Sequence, residues 1–158
     1  MPRQYEMTRA GKAALEDELR RLHVRRGEVA EMLGAAIAQG DLSENAEYTE
    51  GKYQQALVGG RIADLETVLA NAVIVEPSAE STGVIGLFST VTVLDLDYDE
   101  EIEYTLVPLF EADYKVGRIS VESPLGEGLV GKREGDEVEI TTPGGVTRLR
   151  VLNVRAGG

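Results

Sequence analysis

Residues 40–55 read GDLSENAEYTEGKYQQ and separate two segments with helical periodicity. Residues 8–38 carry apolar or small side chains alternating four and three apart, interrupted by Arg26: Leu15, Leu19, Leu22, Val29, Leu33 and Ala36. From about Ser43 to Ala72 the same spacing recurs at Tyr48, Gly51, Gln55, Val58, Ile62, Leu65, Leu69 and Ala72. Such spacing is typical of a coiled-coil seam. The quoted stretch is therefore predicted to be the turn of a helical hairpin.

This hairpin must be antiparallel, because only a short turn near Gly40 joins its helices. Each helix of about thirty residues would be roughly 45 Å long at the usual rise per residue. The stability of so thin a rod must come from its seam and from whatever holds its open end, so the end at the turn is expected to fray most easily. We place this hairpin at residues 1–76, with an acidic tip near residues 40–48.

The second half of the chain alternates with the period of β-strands. The predicted strands are STVTVLDLD, EEIEYTLV, GRISVES, DEVEITT and VTRLRVLNV, and a tight PGG turn joins the last two. Between them, SPLGEGLVGK predicts a short helix with Ser123 as N-cap, Pro124 at its first position and Gly131 closing it. The sequence therefore predicts an α+β protein whose residues 77–158 form a small, mostly antiparallel domain.

The composition of the chain limits the kinds of partner and site that it can have. Its 158 residues include 28 acids and 16 bases, for a net charge of -12, and both predicted halves are acidic. Nonspecific binding of nucleic acid relies on clustered Lys and Arg, so free DNA or RNA is not expected as the sole partner. Without cysteine, disulfides and thiolate metal sites are excluded. With no signal-like or membrane-spanning apolar run, we expect a cytoplasmic protein without membrane contact.

Four acids spaced by three lie in the predicted turn: Asp41, Glu44, Glu47 and Glu50. Carboxylates one helical turn apart can bind Mg²⁺, which takes one or two of them and completes its shell with water or phosphate oxygens. An equally open alternative is that Asp41 and Glu44 only cap a helix. A solvated acid pair without a cleft is a poor catalyst. Any chemistry should therefore take place inside another molecule, and the chain is not expected to be an enzyme itself.

Three segments resemble the bacterial Gre family of transcript cleavage factors. They are MTRAGKAALEDEL near the start, GDLSENAEY followed by QQ at the turn, and EADYKVGRISVESPLGEGLVGKREGDEVEITTPGG downstream. The resemblance implies an N-terminal coiled coil and a C-terminal domain of FKBP-like fold that docks on bacterial RNA polymerase. It implies that the coiled coil enters the secondary channel and stimulates the polymerase's own Mg²⁺-dependent cleavage of backtracked RNA, which rescues arrested complexes.

The family's essential acids match Asp41 and Glu44, which would hold an Mg²⁺ shared with the polymerase active site. The resemblance implies no metal bound by the isolated chain, which we expect to be a monomer. Asn45 and Tyr48, with Ser43 and Glu47 as weaker candidates, would support the tip or contact nucleic acid or polymerase; Tyr48 could equally pack in the seam. Contact with RNA or the channel wall is the hypothesis for Arg20, Arg25, Lys52 and Arg61, against the simpler interpretation of a solvated charged face.

Departures from the family pattern occur at two places. TEGKYQQ adds an acid at Glu50 and puts Gly51 inside a helix. Glycine there should cost about 1 kcal/mol of helix stability relative to Ala. LVPLFEAD has Pro108, Leu109 and Phe110 where small or polar residues are usual, which could alter the docking surface.

Two alternative functions stay open at the level of sequence. The first is an inhibitory Gre-like regulator that blocks the channel without cleavage, although such proteins typically depart from the DLSENAEY motif. The second is a prolyl isomerase, suggested only by the implied FKBP-like domain. Fold analogy alone does not establish that activity, and the C-terminal half has no Trp and few aromatic residues.

Overall fold

The chain forms two compact units in a computed structural model that describes residues 3–40, 45–77 and 83–156. One unit combines Met1–Tyr5 with Ala10–Val73, and the other combines Glu6–Arg9 with Ile74–Gly158. Long helices make up most of the first unit and a β-sheet most of the second. The predicted α+β class is confirmed.

The first unit is the predicted helical hairpin. Helix α1 spans Arg9–Ala38 and helix α2 spans Ala46–Ala70. Buried side chains of α1 include Leu15, Val29, Leu33 and Ala36, and those of α2 include Val58, Ile62, Leu65 and Val68. The seam prediction is wrong at two positions of the second segment: Gln55 is exposed, and Ala72 lies beyond the end of α2.

A two-stranded sheet accompanies the hairpin and was not predicted. Strand β1 spans Tyr5–Met7 and strand β2 spans Ala72–Ile74. The amide of Tyr5 donates to the carbonyl of Asn71 at 2.9 Å, and the amide of Val75 donates to the carbonyl of Met7 at 2.9 Å. The chain leaves α2 at Asn71, whose amide side chain donates to the carbonyl of Thr67 at 2.8 Å. Ala72 therefore continues as a strand, which a helical spacing alone could not show.

The second unit contains a five-stranded sheet. Its strands are β3 (Ser89–Asp95), β4 (Glu100–Val107), β5 (Arg118–Ser120), β6 (Glu137–Thr142) and β7 (Gly145–Ala156). Their order is β5-β4-β3-β7-β6, and every pairing is antiparallel except β4 with β5. The central β3–β7 pair has a register shift between Thr92 and Val93. The sequence located all five strands, and the parallel pair is the exception to the expected antiparallel order.

A short helix, α3, spans Pro124–Leu129 and lies between β5 and β6 in the chain. The hydroxyl of Ser123 accepts a hydrogen bond from the amide of Gly126 at 3.0 Å, which confirms the predicted N-cap and places Pro124 at the first helical position. A Cβ at Gly126 would lie 2.0 Å from the carbonyl oxygen of Ser120, so only glycine permits this approach. The core is aliphatic and includes Ile85, Val91, Leu106, Ile119, Leu129, Leu149 and Val151.

The described ranges contain no helix long and apolar enough to cross a membrane.

Candidate functional site

Helix α1 ends with a glycine turn. The amide of Gln39 donates to the carbonyl of Ala36 at 3.2 Å, and the amide of Gly40 donates to that of Ile37 at 3.1 Å. Gly40 has a φ of 102°, a conformation that side chains disfavour, so glycine is suited to terminate the helix there.

Asn45 joins the two helices on the other side of the turn. Its side-chain oxygen accepts from the amides of Glu47 at 3.0 Å and Tyr48 at 3.1 Å, which makes it the N-cap of α2. Its side-chain nitrogen donates to the carbonyl of Ala36 at 2.9 Å. One amide side chain thus hydrogen bonds to the last turn of α1, where it adds a second donor to the carbonyl of Ala36, and caps free amides at the start of α2. This double role has only a weak sequence signal, an Asn shortly after a glycine turn.

The sequence candidates Asp41, Ser43 and Glu44 lie outside the described residues. The second helix begins later than the predicted start near Ser43: α2 begins at Ala46, with Asn45 as its N-cap. Among the described residues, Glu47 and Glu50 lie three apart on α2. Within residues 3–40, 45–77 and 83–156, no group of three or more His, Cys, Asp or Glu residues is arranged to hold a metal ion.

Two exposed acids occupy the start of α2. A carboxylate oxygen of Glu47 accepts from the side-chain amide of Gln39 at 3.1 Å, and one of Glu50 accepts from that of Gln54 at 2.9 Å. Neither acid has an ion-pair partner in the described part of the chain. Tyr48 is half-buried, and both interpretations of its side chain stay predictions.

Gly51 of α2 lies against Leu33 of α1. It is buried, and a Cβ placed on it would lie 2.7 Å from Cδ2 and 3.1 Å from Cγ of Leu33. The departure from the family pattern therefore has a packing reason. The cost of glycine in a helix is offset by the closer approach of α2 to Leu33.

The basic candidates are mostly paired with acids. Arg20 hydrogen bonds to Asp17, and Arg25 lies 3.4 Å from Glu28. Arg61 donates to both carboxylate oxygens of Glu18, at 2.8 and 3.0 Å, across the hairpin. This hydrogen bond lowers the pKa of Glu18 and raises that of Arg61. Arg20 thus pairs with Asp17, three residues away on the same helix.

Lys52 differs from these arginines. Its ammonium group donates to the side-chain oxygen of Gln55 at 3.2 Å, a neutral partner. Among the four basic candidates, Lys52 therefore keeps its charge uncompensated by any described carboxylate. Its contact with RNA or a channel wall stays a prediction, as do those of the three arginines.

The second unit has its own exposed apolar residues near the other departure. Leu109 is 39% exposed in a single 3₁₀ turn, Leu109–Glu111, and a second turn, Tyr114–Val116, exposes Tyr114 and Val116. These three apolar side chains face solvent in the stretch that follows Pro108. Pro108, by contrast, is buried and precedes the first turn.

A groove that was not predicted from the sequence lies beside the hairpin turn. It has a volume of about 490 Å³ and is lined by Met32 and Ala35 of α1 and by Ala46, Glu47 and Glu50 of α2. The signal was available, because Met32 and Ala35 are apolar, three residues apart and outside the predicted seam. A seam pattern identifies positions buried between the helices, and Met32 and Ala35 lie outside it.

The two units match two parts of one protein family. The family described as "Transcription elongation factor, N-terminal" matches residues 5–74, and "Transcription elongation factor, GreA/GreB, C-term" matches residues 80–156. Transcription elongation factor GreA of Clostridium perfringens strain SM101 is 51% identical over 150 residues, covering 94% of this chain and 95% of that protein. GreA of Clostridium botulinum strain Eklund 17B is 45% identical over 157 residues, covering 99% of this chain and 98% of that protein.

A solved structure of the transcription factor Gfh1 is 32% identical, covers 98% of this chain and 99% of its own, and gives a TM-score of 0.48. The family matches cover nearly the whole chain, and the GreA relatives are similar along almost their full lengths. The chain therefore belongs to the GreA/GreB family of transcription elongation factors.

Proposed function

We propose that this chain inserts its helical hairpin into the secondary channel of bacterial RNA polymerase and stimulates cleavage of backtracked nascent RNA by the polymerase's own active site. The acids that act there are Asp41 and Glu44. The chain itself is a cleavage cofactor rather than an enzyme, because its carboxylates work only beside the polymerase's catalytic groups.

The observation that carries this proposal is the bridge made by Asn45. It fixes the first turn of α2 to the last turn of α1, and Asp41 and Glu44 lie between these ends in sequence. A turn whose two flanks are tied together can present its acids at the end of a long, narrow element. The intact DLSENAEY motif supports the same function.

The donor set fits Mg²⁺. Asp41 and Glu44 are both carboxylates, and Mg²⁺ is usually bound through one or two carboxylates with water and phosphate oxygens in its other positions. The ion would be shared with the polymerase active site, and the chemistry it would supply there is activation of the attacking water or stabilisation of the leaving oxygen. The two acids would hold it, and Asn45 would keep the flanks of the turn in place.

The test uses stalled, backtracked elongation complexes with Mg²⁺ and purified protein. We expect the wild type to release short 3′ RNA fragments, and the Asp41→Ala, Glu44→Ala double variant to be slower by about 100-fold or more, because it lacks both ligands. The matched control is Asp64→Ala with Glu66→Ala, two exposed acids of α2 away from the tip and the groove, which removes the same charge and should retain most of the cleavage.

The rate of nucleotide addition is measured in the same complexes. Wild-type protein that slows addition and releases no fragment would be an inhibitory regulator of the same channel, and the proposal would be wrong. Equal cleavage by the wild type and the double variant would exclude the assigned roles of Asp41 and Glu44.

A further inference from the structure

The groove next to the hairpin turn combines an apolar floor with an acidic rim. Met32 is 41% exposed there, and Ala35 and Ala46 are also exposed, so an apolar surface faces solvent. Glu47 and Glu50 stand at its edge. Its volume of about 490 Å³ lies within the ~300–1,000 Å³ typical of binding pockets.

Within residues 3–40, 45–77 and 83–156, neither acid of this rim forms an ion pair. Glu47 and Glu50 accept hydrogen bonds only from the neutral amides of Gln39 and Gln54 in the described part of the chain. Elsewhere on the hairpin, acids such as Glu18 and Asp17 are paired with arginine. An exposed groove with two free negative charges is complementary to a cation and repels the phosphates of nucleic acid.

We infer that this groove docks a Lys- or Arg-bearing, partly apolar protein segment of the polymerase. This inference rests on the proposed function and names a contact for the hairpin separate from Asp41 and Glu44. The aliphatic stem of the partner's basic side chain would cover Met32 and Ala35, and its charged end would reach Glu47 or Glu50. A second copy of this chain is disfavoured as occupant, because two molecules of net charge -12 repel each other.

The test measures the affinity of the full-length protein for core RNA polymerase free of DNA and RNA, so that only a protein partner can fill the groove. In Met32→Arg the chain supplies its own cation and fills the groove. The matched control is Ile37→Arg, with the same charge change on the same helix at a residue that is 54% exposed and does not line the groove.

We expect Met32→Arg to bind about tenfold more weakly than the wild type, and Ile37→Arg to stay within about twofold, because only the first blocks the surface that the partner would bury. Ala35→Gln fills the groove without changing charge and should also weaken binding. Glu50→Gln should reduce the salt dependence of binding, since it removes one charge of the rim.

Equal affinities of Met32→Arg and Ile37→Arg would overturn the inference. It would also be wrong if Met32→Arg changed only the sedimentation of the free protein, which would indicate a second copy in the groove. RNA cleavage by the wild type is assayed separately. Its absence would refute the proposed function, whereas the affinity comparison would still decide the groove.

Discussion

At the scale of single residues, the tip depends on side chains whose hydrogen bonds reach in two directions. Asn45 both caps α2 and contacts the last turn of α1. The sequence singled out Asn45 through the family motif, but its second contact depends on how close the ends of the helices come. Spacing along one chain segment carries no such information.

Replacing Asn45 separates its two contacts. Asn45→Ala removes three hydrogen bonds and should cost about 1–2 kcal/mol locally, so the amides of Glu47 and Tyr48 should exchange about tenfold faster or more. Asn45→Asp keeps the acceptor for these amides but loses the donor to Ala36. It should therefore protect the two amides nearly as well as Asn. Unchanged exchange in Asn45→Ala would contradict the assigned cap.

At the scale of elements, the sequence located both long helices and all five strands of the larger sheet, because each has a clear period. It missed β1 and β2, which are three residues long and too short for a period to show. It also began α2 too early, because acids suited to a helix start precede the cap that the chain uses. Which of several possible residues caps α2 depends on contacts across the turn, here the hydrogen bond from Asn45 to Ala36.

Two glycines of α2 should respond oppositely to alanine. Gly51→Ala forces a Cβ against Leu33, and this overpacking should outweigh the better helix propensity of Ala. The net effect should be a free energy of unfolding lower by about 1 kcal/mol. Gly60→Ala meets nothing within 4 Å and should raise it by about 0.5–1 kcal/mol. Urea unfolding followed by the helical circular dichroism signal measures both. Adding Leu33→Ala should remove most of the penalty specific to Gly51→Ala.

The Glu18–Arg61 pair should make hairpin stability depend on pH. Because the pKa of Glu18 is lowered from 4.5 on folding, the contribution of the pair is complete above that value and is lost as the pH falls through the lower, folded value. Glu18→Gln should therefore destabilise the hairpin by about 0.5–1 kcal/mol at pH 7. The difference should shrink towards pH 2. Thermal unfolding at a series of pH values tests this, and a difference independent of pH would contradict it.

At the scale of the whole molecule, two acidic units share one chain. The composition excluded thiolate metal sites and disfavoured free nucleic acid as sole partner, and it did so without any structural information. The change of period near residues 76–82 indicated two kinds of architecture. The sequence shows the apolar pair Met32 and Ala35 outside the seam, but it does not show the groove itself, whose walls come from both helices and depend on their separation.

The dependence of RNA cleavage on Mg²⁺ concentration tests the central claim most directly. Backtracked complexes are saturated with wild type, with the isosteric Asp41→Asn, Glu44→Gln variant, or with no added protein. If the two acids are ligands, wild type should reach half-maximal cleavage at a Mg²⁺ concentration about tenfold lower or more than the polymerase alone requires. The variant should follow the curve of polymerase alone. Coincident curves for wild type and variant would contradict the account.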